Sequence, residues 1–153
     1  KIFNYNKNKK VFPITDEKMT RFNITLDESI ETVLFALKNQ QGGEIFVPKQ
    51  KSYKITDVCK AIDKNRKIKI IGIRPGEKID EEMISIHDGL NSVDIGNYYL
   101  ILPVNKEHSA RILKHYKKKF NLKKLSKNFS YNSKNNNKYL SVKDLKKLIF
   151  NKI

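Results

Sequence analysis

Cysteine is nearly absent: Cys59 is the single thiol among 153 residues. No internal disulfide framework is possible, and such usage fits a reducing compartment. Long apolar runs are missing as well. None approaches the length of a membrane helix, and no signal peptide is read, so a cytoplasmic protein with no membrane partner is expected. Glycine is sparse, at six residues, and forms no Gly-x-Gly-x-x-Gly, Gly-x-x-Gly-x-x-Gly or Walker loop. The chain therefore has no dinucleotide-phosphate cradle of its own. Metal-ligand spacing is absent too: His87, His108 and His115 are isolated and read as surface histidines. His108 and His115 fall on one side of a helix, but no acidic or thiol partner is near. There are no internal repeats, and only the asparagine-lysine patch at 132–138 approaches low complexity.

Arginine is also scarce. The net charge of +16 rests on lysine, with only Arg21, Arg66, Arg74 and Arg111 as arginines. Residues 1–104 carry 17 Lys and Arg against 14 Asp and Glu, whereas residues 105–153 carry 15 against 2. A strongly basic chain suggests nucleic acid, but the charge is mostly a property of the tail and base-edge readers lean on arginine. A solvated lysine surface is the simpler reading, with Lys, Asn and Ile reflecting an A/T-rich coding bias that the coding sequence would test. A lysine-rich module for nucleic acid or an anionic surface is the alternative. Salt-sensitive nucleic-acid binding lost on removing residues 105–153 would favour it.

The length suits one domain able to bury a core: an α/β region over 1–104 and a basic helical tail of the same domain over 105–153. Residues 1–12 read as the end of an element begun earlier. Residues 12–16 and 22–25 are extended. Thr25-Leu26-Asp27-Glu28 is a capping box, followed by apolar residues at 26, 30, 33, 34 and 37 with helical period, and Gln41-Gly42-Gly43 ends the helix. Residues 44–48 form a strand closed by proline. Ile55, Val58, Cys59 and Ile62 define a second helix, with Cys59 a core thiol. Residues 67–73 and 98–103 are strands, 106–120 a basic helix, and 126–138 a polar loop. Ser141 caps a last helix with Val142, Leu145, Leu148 and Ile149 on one face.

Chemistry concentrates at Arg74-Pro75-Gly76-Glu77-Lys78, which follows the apolar run 68–73. An arginine fork binds pyrophosphate oxygens in a bidentate way. A carboxylate accepts from ribose hydroxyls, and Pro75-Gly76 supplies a turn that a ligand can approach closely. The alternative is a plain surface turn with a structural ion pair. Tyr-x-x-x-Lys occurs at Tyr5/Lys9 and Tyr139/Lys143, at a frequency chance explains. Asp80, Glu81 and Glu82 form an acidic cluster read as a solvated face rather than as general acid–base groups. Tyr98 and Tyr99 point to opposite strand faces.

Five stretches occur in order: residues 14–25, 42–49, 71–78, 81–84 and 129–145. Together they resemble the C-terminal, substrate-binding half of the inverting UDP-N-acetylglucosamine 4,6-dehydratases. These are extended short-chain dehydrogenases of bacterial polysaccharide and flagellin-glycan biosynthesis. The resemblance covers nearly the whole chain. It implies an α/β substrate domain with the Rossmann part missing. The NADP cofactor and the Tyr-Lys acid–base pair would then lie in an N-terminal half supplied in cis or in trans. Family chemistry oxidises C4 of the sugar, eliminates water across C5 and C6, returns hydride to C6 and inverts C5. The resemblance assigns Arg74, Pro75, Gly76 and Glu77 to the diphosphate and nucleoside, Arg21 to the same diphosphate, and Thr15 to either a ligand contact or a turn cap. The alternative for Arg21 is a pair with Asp16 or Glu17. No catalytic, cofactor or metal residue is assigned in this chain, so it is expected to be inactive alone; the complete protein is expected to be a homo-oligomer. Two positions depart from the family pattern: Asn23 replaces a usual Trp beside Arg21, and Asp80 replaces a common His at a site read as exposed.

Overall fold

The computed structural model describes residues 11–150; the Tyr5/Lys9 pair and the element expected before residue 11 lie outside them. The chain passes repeatedly between two compact units. Among the described residues the first comprises 11–23, 51–81 and 133–150, and the second 24–50 and 82–132.

In the first unit, β1 (Val11–Ile14) pairs in parallel with β5 (Lys67–Ile70), Phe12 opposite Ile68 and Ile14 opposite Ile70. β2 (Thr20–Asn23) pairs antiparallel with β4 (Lys51–Lys54). β4 runs straight into α2 (Ile55–Ile62), which has no side-chain N-cap. Instead the Ile55 amide donates to the Met19 carbonyl at 3.1 Å, meeting the need of an orphan first-turn donor. α2 is apolar on two sides. Ile55, Cys59 and Ile62 pack on Phe12 and Ile14, while Val58 and Ala61 pack with Leu140 and Leu145 beside α5 (Val142–Phe150). Ser141 caps α5 as expected, its hydroxyl accepting from the Asp144 amide at 3.2 Å. The segment before α5 straps β4: Ser52 N–H donates to Lys138 O at 2.8 Å and Leu140 N–H to Ser52 O at 2.7 Å.

In the second unit, the Thr25 capping box starts α1 (Leu26–Asn39), with both reciprocal hydrogen bonds present. The sheet order is β3 (Ile45–Pro48), β8 (Tyr98–Ile101), β7 (Ser92–Asp94) and β9 (Lys123–Lys124), all antiparallel. α4 (Lys106–Lys117) contributes Ile112 and Tyr116 to a core with Ile95, Leu100 and Leu102. Tyr98 joins that core and stacks on Phe35. Tyr99 points to the opposite face, where it meets Phe129 and Tyr131. β6 (Glu82–Ile84) pairs with β10 (Tyr131–Asn132), a two-residue strand within the expected polar loop. Between β6 and β7, α3 (Ile86–Gly89) ends on a glycine whose added Cβ would overlap the Phe129 carbonyl.

Two expectations need correction. The strand feeding the arginine loop stops at Ile70, because Gly72 takes φ +86° and turns the chain. His108 and His115 are half-buried rather than surface residues, and their Nε2 atoms are buried without a partner among the described residues. The helical period of α1 is present, but Leu26, Ile30, Val33, Leu34 and Leu37 are 50–70% exposed, and Phe35 is its residue in the aromatic core.

Candidate functional site

The loop after β5 is held at both ends and open in the middle. At its start the Ile71 amide donates to the Ile14 carbonyl at 2.9 Å, carrying the strand pairing one residue further. The Glu77 amide then donates to the Arg74 carbonyl at 3.0 Å and closes a four-residue turn. Pro75 second and Gly76 third, with φ +78° at Gly76, is the signature of a type II turn. Nothing lies within 4 Å of where a Cβ on Gly76 would stand. Backbone conformation, not crowding, therefore requires glycine there.

Glu77 is gripped from two directions. Its Oε1 accepts from the Thr15 hydroxyl at 3.1 Å, and its Oε2 accepts from the Arg74 amide at 3.2 Å. Each carboxylate oxygen keeps a further acceptor site, so the group is oriented without being used up. Arg74, Pro75 and Gly76 are exposed. Among the described residues the Arg74 guanidinium makes no ion pair. Thr15, Arg74, Pro75, Gly76 and Glu77 thus come together in one patch.

Arg21 is placed differently. Its Nη1 donates to the Thr20 and Ile79 carbonyls at 2.6 and 2.8 Å, and its Nη2 to the Lys78 carbonyl at 2.8 Å and the Met19 sulfur at 3.2 Å. Those contacts occupy the four terminal N–H bonds. Its Nε lies 3.7 Å from Glu81 Oε1. The guanidinium therefore grips the backbone immediately after the turn. Its partner is Glu81, not Asp16 or Glu17.

Beneath it runs a directional chain of hydrogen bonds. The Glu81 amide donates to Ser133 Oγ at 2.9 Å, and the Thr20 hydroxyl donates to Asp80 at 2.7 Å. The two hydroxyls are 2.6 Å apart. Thr20 has one proton and gives it to Asp80, so Ser133 is the donor between them. Thr20 and Ser133 are 3% and 0% exposed, and among the described residues no buried hydroxyl lacks a partner. The Thr20 amide donates to Ile79 O at 3.0 Å and the Phe22 amide to Glu81 Oε2 at 2.7 Å, sealing the second edge of β2. Asp80 and Glu81 are thus half-buried structural acceptors rather than members of a solvated face, because the Thr20 hydroxyl and the Phe22 amide donate to their carboxylates. Thr20, Asp80, Glu81 and Ser133 were missed as a group because each partner is distant in sequence. Only the clustered acids gave a signal.

The other candidate groups have structural positions. The Tyr139 hydroxyl contacts the Ser133 and Lys134 carbonyls at 2.7 and 3.0 Å, and burial raises its pKa. Burial, followed by the Glu81 charge, raises Tyr53 as well. Burial pushes the Cys59 thiol up to about 11, which keeps it protonated and unreactive at neutral pH. No cluster of three metal-ligating side chains occurs among the described residues, and no helix there is long and apolar enough to cross a membrane. The described glycines form no dinucleotide-binding loop.

The mixed α/β architecture is shared with part of a longer solved chain. The X-ray structure of Pen from Bacillus thuringiensis superposes with a TM-score of 0.73 and 26% identity, over 98% of this chain and 42% of that one. The chain belongs to the polysaccharide biosynthesis protein family, whose model matches residues 3–103. It is similar to the UDP-N-acetylglucosamine 4,6-dehydratase (inverting) of Campylobacter jejuni, at 42% identity over 92% of this chain and 42% of that protein. It is also similar to the UDP-glucose 4-epimerase of Rickettsia bellii, at 33% identity over 97% of this chain and 43% of that protein. The chain therefore spans less than half the length of these curated relatives.

Proposed function

We propose that this chain is the UDP-sugar-binding portion of an inverting UDP-N-acetylglucosamine 4,6-dehydratase in bacterial surface-polysaccharide or flagellin-glycan biosynthesis. The supporting observation is an oriented Glu77 carboxylate beside an exposed Arg74, whose guanidinium makes no ion pair among the described residues, on one anchored turn. Arg74 would take the diphosphate as a bidentate fork. Glu77 would accept from the ribose hydroxyls through its remaining lone pairs, and Thr15 would fix its rotamer. Arg21 would contribute by holding the backbone at 78–79 and by adding positive potential, since its terminal donors are already engaged. The named relatives differ in sugar and agree in the nucleotide, which makes UDP the best-supported part of the ligand. NADP and the acid–base pair belong, on this reading, to a part of the protein outside this chain. The proposed location is the cytoplasm.

Calorimetric titration of the 153-residue chain with UDP tests the assignment. Binding that Arg74→Ala and Glu77→Gln each weaken is expected; affinity unchanged in both variants overturns it. Incubation of the chain with NADP and UDP-N-acetylglucosamine should yield no product. Product formation would sink the claim that the chemistry lies elsewhere.

A further inference from the structure

The second unit carries a cavity that the nucleotide-sugar reading does not use. It is open and about 430 Å³ in volume, within the roughly 300–1,000 Å³ typical of small-molecule pockets. Its apolar wall comes from Val93, Leu102 and Leu113, and Leu90 and Val104 extend that wall to the surface. The last two are 62% and 87% exposed, an unfavourable state for large apolar groups unless something covers them. Lys106, Lys124 and Lys127 line the same space. They arrive from two places, the first turn of α4 and the stretch from β9 onward. No carboxylate lines the cavity, and none of the three lysines forms an ion pair among the described residues. The hydroxyls of Ser92 and Ser109 turn inward, onto the carbonyls of Asp88 and Pro103.

Three uncompensated ammonium groups beside an aliphatic wall select for a ligand with the same division. A bare phosphate would leave the leucines wet. A neutral alkyl chain would leave the lysines unanswered. Nucleic acid is the poorer match, because the lining contains neither an aromatic ring for base stacking nor an arginine for base edges. We propose that this cavity binds an anionic amphiphile, with an alkyl chain on Leu90, Leu102 and Leu113 and a phosphate or carboxylate head among Lys106, Lys124 and Lys127. The site is independent of the UDP-sugar assignment.

Calorimetry of the 153-residue chain with decyl phosphate below its micelle concentration, decanol and inorganic phosphate tests this. Decyl phosphate should bind at least about tenfold more tightly than either fragment, because it alone answers both halves of the lining. Lys124→Glu with Lys127→Glu should weaken it at least about tenfold. Val104→Asp should do so as well, at a position too exposed to threaten folding. Thermal unfolding of each variant, unchanged from the parent, confirms that the fold is intact. Sedimentation with phosphatidylglycerol vesicles but not phosphatidylcholine vesicles, lost in the same variants, would identify the source as a bilayer. Calorimetric binding without sedimentation would identify a free amphiphile. Decyl phosphate binding no better than inorganic phosphate, or binding undiminished in intact variants, overturns the proposal.

Discussion

Arg21 and Arg74 carry the same guanidinium, lie in the same unit and serve the same loop, yet their surroundings are opposite. Arg21 sits on a paired strand, its side chain 18% exposed, with its terminal donors on carbonyls and a sulfur. Arg74 projects from the turn, exposed and without an ion pair among the described residues. The contrast separates scaffold from contact. A fork whose donors are already satisfied holds backbone in place, whereas one left in water is available to a ligand. Residue type alone does not make that distinction; the number of carbonyls within reach does.

Removing Arg21 is the strongest way to break this contrast. Arg21→Ala should cost about 3 kcal/mol of stability, because it strips donors from the Lys78 and Ile79 carbonyls and leaves Glu81 without its cation. Urea unfolding measures this, and a loss below about 0.5 kcal/mol would make Arg21 a bystander.

The scaffold should also show itself through pH. Cys59 has a folded pKa of about 11 against an ordinary value of 9.0. The unfolded chain therefore releases its thiol proton first, and stability falls as pH rises between those values, by about 3 kcal/mol in total. Cys59→Ala should remove that part of the slope, as followed by denaturant unfolding at several alkaline pH values.

Arg74→Ala is expected to do the converse of Arg21→Ala. Stability should stay within about 0.5 kcal/mol of the parent, while UDP affinity falls about tenfold to a hundredfold. A large loss of stability instead would place Arg74 with the scaffold.

The smallest effect is expected at Thr15→Val, which keeps the shape but removes one of two anchors on Glu77. UDP affinity should fall about threefold to tenfold, with under about 1 kcal/mol of stability lost. If affinity is unchanged, the Arg74 amide alone suffices to orient the carboxylate.

Local signals were legible in the chain. The Thr25 capping box, the Ser141 cap, the faces of α2 and the turn at Arg74-Pro75-Gly76-Glu77 each depend on residues a few positions apart. The period of α1 was readable as well, but not the side on which its stripe would fall. The hydroxyl chain was not readable, since Thr20 meets Asp80 and Ser133 across separations of 60 and 113 residues. Nor was the grip of Arg21 on backbone carbonyls, which have no sequence signature. His108 and His115 were misread because helical spacing reports which side of a helix they share, not how deeply that side is buried.

The repeated passage of the chain between its two units has a bearing on how it is made. The Thr20 hydroxyl waits for Ser133, and the ribosome needs roughly 6–23 s to bridge that interval at about 5–20 residues per second. During that time Thr20, Asp80 and Glu81 exist without the serine that completes their network. The first unit can close only after residue 133 has been made, so a pause or a protease cut near residue 132 would leave its early strands waiting for a partner and exposed to chaperones.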